Sequence, residues 1–474
     1  MAALAVPERR RYWESFDRRY HLHHPELRPM RRNVWELPHW MTWMGGVLEA
    51  AGYRNLGVLD LYTVECDINR LDAEAVTRLL RNCPADVYLF SPMIPNLHFA
   101  YQIADLAKLL YPGSLCVFGG VVATPLPEEL AVHPSVDFVV HGRGEYALVS
   151  LLNEIGSGGH FDTVGNLCFR DAHGEPRRTG SSYPWMLPAQ LPFPKVDLFP
   201  RDTGLDLRYL RIVHGLGCPY KCGMCTIQTI GHKVNYFPLE RVIAEINAYR
   251  EYYGRHHNIY FGDETFTVSR IATTELCEAL AAEGGIHYDC QTRINLLKDP
   301  DMLRAMQRSG CRWVEVGIEA TDQGTQNIFK QRVPIRTLRE TLGRVRDSGL
   351  ATCSFLVNGF PNQTLDEMRR SIDDVCELIA ADLLTASYLF GLVPYPGSDL
   401  YAKPEKYGVQ LHHHRFNAYH EDMPPVYDTQ LAGSEDIHRV FLEGLVSLSE
   451  AMGAPSPDSG ESRAYGTFWG GAHV

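Results

Sequence analysis

The sequence predicts an α/β protein in which a doubly wound N-terminal domain is followed by a partial barrel of six strands and a small, mostly helical C-terminal region. Three observations favour this fold class. Short apolar runs alternate with helical segments along most of the chain, a proline-rich stretch divides them into two groups, and the second group repeats strand then helix six times. Continuous apolar strands separated by helices are typical of a parallel sheet covered on both faces.

The size and charge of the chain limit what it can be. Its 474 residues suffice for two or three domains of roughly 100–200 residues each. The formal net charge of −12 argues against a nucleic-acid partner, because general nucleic-acid binders usually carry a basic face. No apolar run approaches the roughly 18 residues of a membrane helix, and the N-terminus lacks a signal-peptide pattern. We therefore expect a cytoplasmic protein with reduced cysteines and no membrane partner.

The N-terminal third contains an arm and the first domain. Residues 1–37 form an arm rich in arginine and aromatic residues, whose fold the sequence does not predict. Residues 38–180 form the doubly wound domain, because four apolar runs alternate there with segments of helical period. The predicted strands of this domain are 55–62, 86–93, 114–120 and 137–142.

A linker and a barrel follow. Residues 181–205 are predicted to be a linker, since 181–200 holds five prolines, which neither a helix nor a central strand tolerates. Residues 206–400 form the partial barrel, because six strand–helix units are too few to close the eight-stranded form. Its predicted strands are 209–215, 258–262, 287–292, 312–318, 352–359 and 387–393.

Local signals place several helix ends in the second half of the chain. Pro238 and Pro300 are predicted at helix starts, where a missing backbone N–H costs nothing. Thr364 with Glu367 has the spacing of a capping box. In the C-terminal region, 401–474, we expect one amphipathic helix over 434–452 and a loose tail rich in Gly, Ser and Pro.

Three cysteines lie close together in the loop after the first barrel strand. They are Cys218, Cys222 and Cys225. Thiolates suit iron–sulfur clusters or zinc, and glycines on both sides let the loop fold tightly. A four-iron cluster usually takes four thiolates, so three leave one iron open to a non-protein ligand. Zinc is the alternative, with His214 or His232 as a fourth ligand, although neither has zinc-finger spacing.

The C-x3-C-x2-C loop with its strand context resembles the signature of the radical S-adenosylmethionine (SAM) superfamily, over about residues 211–401. This resemblance implies that the open iron chelates the amino and carboxylate groups of SAM. An electron from the cluster would then cleave a C–S bond and produce a 5′-deoxyadenosyl radical.

The same resemblance implies further contacts to SAM at the strand ends. The residues at these positions are Met224, Asp263, Glu264, Arg293, Glu319 and Asn358. Physically, carboxylates at strand ends face the barrel mouth, where they can bind an amine or ribose hydroxyls. The structural alternative for any one of them is a helix cap or a salt bridge.

The first domain resembles the cobalamin-binding domain fused to many radical SAM enzymes. The matching stretches are SPMIPNLHFAYQIADL, GGVVATPLPEEL and VDFVVHGRGEYALVSLL. The cofactor contacts that this resemblance implies are Tyr62, Ser91, Met93, Gly119, Gly120, Thr124, Gly142 and Glu145. Arg143 stands where the family usually has Glu, and the D-x-H-x2-G motif that supplies a cobalt ligand in other cobalamin proteins is absent.

Two other interpretations of the first domain fit less well. The stretch 142–147 matches G-x-G-x-x-A, but it follows the fourth strand and no acidic residue is well placed about 20 residues later, as a dinucleotide site requires. Methylthiotransferases place three cysteines at successive strand ends of such a domain. Here Cys83 precedes a strand and Cys116 lies within one, so we expect both to be small buried hydrophobic residues.

Together, the two resemblances imply a cobalamin-dependent radical SAM C-methyltransferase that acts on a small, natural-product-type biosynthetic intermediate. One SAM would recharge cobalt with a methyl group and another would generate the radical. The implied cofactors are a 4Fe–4S cluster, SAM and cobalamin, and the implied partners are a small-molecule substrate and a flavodoxin- or ferredoxin-type electron donor. A non-methylating cyclisation or rearrangement with the same cofactors is the alternative, and a non-catalytic electron carrier would leave the barrel unexplained.

Overall fold

The structure is a computed structural model, which describes residues 7–25, 34–59, 61, 66–67, 70–201, 206–229, 231, 233–255, 257–330, 333–412 and 415–453. Its strands are β1 Val34–Glu36, β2 Cys66–Asp67, β3 Arg70–Leu71, β4 Val87–Phe90, β5 Leu115–Phe118, β6 Phe138–Val140, β7 Leu167–Arg170, β8 Pro176–Arg178, β9 Asp206–Ile212, β10 Gly215–Leu216, β11 Asn235–Tyr236, β12 Asn258–Phe261, β13 Tyr288–Arg293, β14 Cys311–Glu319, β15 Ala351–Asn358, β16 Ala386–Gly391, β17 Val409–Leu411 and β18 Tyr427–Thr429. Its α-helices are α1 Pro7–His23, α2 His39–Ala50, α3 Ala73–Asn82, α4 Leu97–Leu110, α5 Gly120–Ala123, α6 Pro127–Ala131, α7 Glu145–Ser157, α8 Leu239–Tyr253, α9 Arg270–Glu283, α10 Pro300–Arg308, α11 Gln323–Phe329, α12 Leu338–Asp347, α13 Leu365–Ala380, α14 Asp399–Ala402 and α15 Ser434–Ala451.

The first domain is built on a five-stranded sheet in the order β4-β5-β6-β7-β8. Strands β4 to β6 are parallel, whereas β7 and β8 are antiparallel additions. Three of the four predicted strands are therefore confirmed. The remaining prediction, a strand over 55–62, is wrong as far as the structure describes it, because 55–59 has no strand pairing. Leu56 packs against a buried cluster that includes Val117 and Phe138, so the apolar character of this run reflects burial without strand formation.

The second sheet is the partial barrel, and all its strands are parallel. Its order is β1-β9-β12-β13-β14-β15-β16. The six predicted strands are confirmed, and β1 from the N-terminal arm extends the sheet beside β9. The loops that follow the strands share one rim, because the carboxyl ends of parallel strands lie at the same edge.

The N-terminal helix α1, which the sequence did not predict, covers the opposite end and the open side of the barrel. Four buried side chains recur on it at i, i+4 spacing: Tyr12, Phe16, Tyr20 and His24, the last just beyond the helix. The Tyr12 hydroxyl donates to the Ser387 carbonyl of the edge strand β16 at 2.5 Å. Tyr20 and His24 lie 2.7 and 2.8 Å from the Asp289 carboxylate on β13. The helix therefore supplies part of the barrel interior.

The predicted helix signals are confirmed. Asp299 caps α10, whose first residue is Pro300, and Pro238 immediately precedes α8. Thr364 and Glu367 form the capping box of α13. The C-terminal amphipathic helix is α15.

The predictions for two cysteines of the first domain have different outcomes. Cys116 is buried as predicted, but Cys83 is exposed, because it lies at the C-terminal cap of α3 and faces solvent.

Among the helices that the structure describes, none has both the length and the apolar character needed to cross a bilayer.

Candidate active site

The three-cysteine loop begins at the carboxyl end of β9 and is anchored by neighbouring loops. Cys218 and Cys222 are buried, and Cys225 is half-buried. The Gly223 amide donates to the Phe329 carbonyl at 3.0 Å. Gly217 has φ +102°, and a Cβ there would lie 2.5 Å from the Lys233 carbonyl oxygen, so this tight path requires glycine.

A positively charged side chain lies beside the middle cysteine sulfur. Arg293 Nη1 lies 3.2 Å from Cys222 Sγ, and its guanidinium stacks 3.9 Å from the centroid of the Tyr220 ring. Burial first, and then the neighbouring thiols of Cys222 and Cys218, raise the pKa of Cys225 to about 12. The influence of Cys218 and Cys222 on Cys225 shows that the three sulfurs are neighbours, and a metal would have to displace the proton of the Cys225 thiol.

This arrangement fits a cluster better than a single metal ion. Within the described part of the chain, no group of three His, Cys, Asp or Glu side chains is arranged to hold one metal ion. In a four-iron cluster each thiolate binds a different iron, so the sulfurs need not converge on one point. The soft donor set, the short loop and the adjacent guanidinium together fit an iron–sulfur cluster.

Asp263 and Glu264, predicted to contact SAM, both hydrogen-bond to the backbone that leads into the cysteine loop. The Asp263 carboxylate accepts from the amides of His214 and Gly215 at 2.9 and 2.7 Å. Glu264 accepts from the Gly217 amide at 2.9 Å. Burial raises the pKa of Asp263 to about 8. In the structure these acids position the loop, and a contact to SAM stays a prediction.

The other predicted SAM contacts lie on the rim or beside it. Glu319 has a left-handed φ of +62°, which turns its carboxylate onto the ammonium of Lys330. Asn358 donates to the Ile437 carbonyl at 2.9 Å, while its side-chain oxygen is buried without a hydrogen-bond partner among the described residues. Met224 is half-buried beside the last cysteine. A buried acceptor without a donor is costly, so Asn358 is suited to a ligand N–H or O–H.

Two residues of this site were missed by sequence reasoning. Lys330 is buried and faces both Glu319 and the cysteine loop, although no motif marks it. It fits because Gly317 has no side chain: a Cβ there would lie 2.4 Å from Lys330 Nζ. Tyr220 lies between the first two cysteines, but only the folded loop shows that it stacks on Arg293.

The glycine-rich edge of the first domain forms a second candidate site. Gly120 has φ +85°, and a Cβ there would lie 2.2 Å from Ser91 Oγ. Thr124 Oγ1 accepts from the Gly142 amide at 3.0 Å, which joins two of the predicted loops. Gly119 follows β5 directly, so glycine, serine and threonine line the carboxyl edge of the sheet. Small side chains there fit a bulky ligand such as cobalamin.

The remaining predicted residues of this edge are placed less centrally. The Met93 amide donates to the Asn96 side chain at 2.8 Å. Glu145 is buried at the start of α7, 3.8 Å from the Arg143 guanidinium. Tyr62 lies outside the described residues, so its role stays a prediction.

The two candidate sites face each other across the domain boundary. Burial raises the pKa of Glu264, and the nearby Arg143 guanidinium counteracts part of this rise. Arg143 also lies 5.4 Å from the centroid of the Trp185 ring. Trp185 in turn packs on the cysteine loop, since a Cβ on Gly231 would lie 1.7 Å from its ring. The linker tryptophan therefore joins the glycine-rich edge to the loop.

Comparisons with known proteins agree with this pairing of sites. The pattern of the Radical SAM superfamily matches residues 212–375, and that of the B12 binding domain matches residues 36–152. An uncharacterized methyltransferase of Pyrococcus horikoshii is 24% identical over 79% of this chain and 80% of its own length. An anaerobic magnesium-protoporphyrin IX monomethyl ester cyclase of Rubrivivax gelatinosus is 23% identical over 77% of this chain and 65% of its own length.

A solved structure shares the fold. It is the radical S-adenosylmethionine methyltransferase TsrM of Kitasatospora setae, bound to tryptophan and a SAM analog, with a TM-score of 0.63 and 16% sequence identity. The match covers 80% of this chain and 78% of TsrM.

A cysteine loop at the mouth of a parallel barrel, facing a glycine-rich sheet edge, defines a radical SAM enzyme with a second cofactor domain. With both family patterns matched, the chain belongs to the radical SAM enzymes that carry a B12-binding domain, and both methyltransferases and cyclases are among its relatives. Its cofactors are a 4Fe–4S cluster, SAM and cobalamin, and it acts on a small molecule with the help of a reductant. The domain boundaries and individual site residues stay predictions.

Proposed function

We propose that the protein methylates a carbon atom of a small, natural-product-type biosynthetic intermediate. The observation that carries this proposal is that the cysteine loop and the glycine-rich edge meet at one rim, joined by Arg143 and Trp185. A radical made on one side and a methyl group held on the other could then reach the same substrate carbon. Such positioning is the protein's main contribution when cofactors carry the chemistry.

The residues of the barrel rim would bind the cluster and SAM. Cys218, Cys222 and Cys225 would supply the thiolates. The buried Glu319–Lys330 pair and the side-chain oxygen of Asn358 offer polar contacts for SAM. The cluster, when bound, supplies the electron that cleaves SAM.

The glycine-rich edge would bind cobalamin. Gly119, Gly120 and Gly142 would admit the corrin at close range, and Ser91 and Thr124 offer hydroxyls beside it. Met93, Glu145 and Tyr62 would complete this set. Cobalamin, when bound, supplies the methyl group.

The electron would come from a flavodoxin- or ferredoxin-type protein. Such donors and a reduced cluster require a reducing compartment, so we place the reaction in the cytoplasm.

A non-methylating cyclisation or rearrangement is the second candidate, favoured by the similarity to a cyclase. Isotope labelling separates the two. The protein is reconstituted anaerobically with iron, sulfide and hydroxocobalamin, then incubated with reductant, SAM carrying a trideuterated methyl group, and a metabolite extract from cells that lack the protein. We expect a new product in which one trideuteromethyl group replaces one hydrogen of the substrate, with S-adenosylhomocysteine and 5′-deoxyadenosine formed in equal amounts. A product without the label, formed with 5′-deoxyadenosine alone, would establish the second candidate.

The contact between Arg293 and Cys222 leads to a prediction about the cluster. Changing Arg293 to Gln should lower the reduction potential of the cluster, because a positive guanidinium 3.2 Å from a ligand sulfur stabilises the more negative, reduced state. We expect a shift of roughly 60 mV, the one-electron equivalent of a tenfold change. Redox titration followed by electron paramagnetic resonance measures it.

The matched control removes the same charge far from the loop. Arg270 is exposed and pairs with Asp299 at 3.5 Å, so Arg270→Gln should leave the potential unchanged. Equal potentials in Arg293→Gln and the unaltered protein would mean that the guanidinium leaves Cys222 when the cluster binds.

A further inference from the structure

Lysine is rare in this chain and is concentrated at the barrel rim. Eight of the 45 lysine and arginine residues are lysine. Six of these eight lie in the connections that follow β9, β13, β14 and β16, namely Lys221, Lys233, Lys298, Lys330, Lys403 and Lys406. Lys330 is buried and the other five are exposed. The rim therefore gathers exposed amines in a chain whose net charge is −12.

Two stretches of sequence without acidic residues meet beside the cysteines. Residues 213–239, which contain the cysteine loop, include two lysines and no aspartate or glutamate. Residues 323–339, in the connection after β14, include four lysine or arginine residues and no acid. The stretches are joined where the Gly223 amide donates to the Phe329 carbonyl at 3.0 Å. We give the name basic rim to the surface formed by three of their exposed side chains, Lys221, Lys233 and Arg336.

Acids of the adjoining loops do not neutralise the basic rim. The carboxylates of Asp263 and Glu264 already accept backbone amides that lead into the cysteine loop. The segment 399–407, which also packs on this loop, has two acids for its two lysines and adds no net charge. Lys221 and Lys233 form no salt bridge with any residue that the structure describes. The basic rim therefore keeps its positive charge.

The basic rim includes the accessible tip of the cysteine loop. Pro219 and Lys221 are exposed there, and Tyr220 between them is half-buried. The Tyr220 ring stacks 3.9 Å from the Arg293 guanidinium, whose Nη1 lies 3.2 Å from Cys222 Sγ. Packed side chains thus connect the protein surface to a sulfur that would bind the cluster.

We propose that the basic rim is the docking surface for an acidic electron-carrier protein. The carrier binds over Tyr220, with its carboxylates beside Lys221 and Lys233. It is oxidised by one electron and the cluster is reduced by one electron, while no covalent bond forms or breaks. This proposal rests on the proposed function only in taking the reductant to be a protein.

The exposure of these side chains favours a protein partner over a small anionic ligand. A small ligand is usually held in an enclosed pocket by a few convergent polar groups. Exposed charges of one sign instead steer an oppositely charged protein and raise its association rate, in a manner that depends strongly on salt. Electron carriers form small, weak interfaces with their partners, so a surface of this kind suffices.

The first test measures electron transfer from reduced flavodoxin, an acidic protein that carries FMN, to the reconstituted enzyme. Stopped-flow absorbance of the flavin gives the second-order rate constant. We expect this constant to fall roughly tenfold in Lys221→Glu and in Lys233→Glu, because each change reverses a charge that attracts the carrier. Raising the salt from about 0.1 M to about 1 M shortens the screening length from roughly 10 Å to roughly 3 Å and should also lower the constant.

Two controls separate docking from other effects. Photoreduced 5-deazariboflavin is a small, uncharged reductant that needs no docking surface, so it should reduce the cluster at the same rate in every variant. Arg81→Glu makes the same reversal of charge elsewhere. Arg81 is exposed at the end of α3, and its carbonyl accepts from Tyr111, which precedes β5. It therefore lies at the amino edge of the first sheet, and its change should leave the flavodoxin rate unaltered.

A second readout does not depend on catalysis. A water-soluble carbodiimide joins a lysine amine to a carboxylate in direct contact with it, with loss of water to the reagent. The mixture of flavodoxin and reconstituted enzyme is treated with this reagent, and mass spectrometry identifies the joined peptides. We expect cross-links at Lys221 and Lys233 that are lost at about 1 M salt, where charge attraction is screened.

Four outcomes overturn the proposal: no electron transfer from flavodoxin, unchanged flavodoxin rates in both lysine variants, equal losses of rate with 5-deazariboflavin, or cross-links confined to lysines outside the basic rim. SAM cleavage driven by 5-deazariboflavin is measured on the same preparations. If it persists in any of these cases, only the docking surface is refuted. If the lysine dependence is found but no trideuteromethyl label reaches a product, the docking surface stands and the proposed methylation fails.

Discussion

Replacing Cys222 with alanine should abolish both the iron–sulfur absorbance of the reconstituted protein and its production of 5′-deoxyadenosine. Cys222 is the middle of the three cysteines, is buried, and bonds to Arg293. Two thiolates cannot retain a cluster that already lacks one protein ligand. The loss of 5′-deoxyadenosine production should exceed the roughly 10–100-fold loss of activity that follows when a residue that only orients a metal ligand is removed. Iron analysis and chromatography of the SAM cleavage products measure it.

A second buried cysteine provides the control. Cys277 on α9 contacts the Tyr288 hydroxyl at 3.5 Å, away from the cysteine loop. Cys277→Ala removes one sulfur from the core and should retain the full iron content and SAM cleavage. Normal iron content in Cys222→Ala would contradict a cluster held by this loop.

Changing Gly120 to alanine should remove cobalamin binding and leave the cluster intact. The new Cβ would lie 2.2 Å from Ser91 Oγ, and the φ of +85° is one that alanine rarely adopts. Backbone strain of this kind costs about 1–3 kcal/mol, and relief would move the loop into the space that the corrin needs. Cobalamin binding would have to restore the strained conformation, and each 1.4 kcal/mol of that strain should lower the affinity for cobalamin roughly tenfold. Cobalamin absorbance after gel filtration measures it.

Gly113 supplies the matched control in the same domain. A Cβ at Gly113 meets no atom within 4 Å, and its φ is not positive, so Gly113→Ala should bind cobalamin normally. Adding Ser91→Gly to the Gly120→Ala variant removes the clash but not the strained φ, and should restore binding in part. Full retention of cobalamin by Gly120→Ala alone would place the cofactor elsewhere.

The barrel strands could be predicted because each is a short apolar run bounded by turn residues, and the helix ends because capping depends on neighbours in sequence. Helix α1 could not be predicted, since its partners Ser387, Trp313 and Asp289 lie hundreds of residues away. The run 55–62 was misassigned because apolar residues such as Leu56 can be buried without pairing as a strand.

The residues of the active site were likewise predictable only where the signal is local in the sequence. The spacing of the cysteines is local, so the sequence alone predicts that they act together. The partners of Asp263 and Glu264 depend on how the loop folds back, and the structure has their carboxylates accepting backbone amides. Lys330 could not be anticipated, because its burial requires the vacancy at Gly317 and the charge of Glu319.

The contact between Tyr12 and β16 has a consequence for how the protein is made. These partners are 375 residues apart, so the first helix leaves the ribosome long before the strand it covers exists. Until then its apolar stripe lacks part of its packing surface, and closing so long a loop is entropically costly. The barrel can be completed only after β16 has been synthesised, and a bulky domain fused just before α1 would hinder that late docking step.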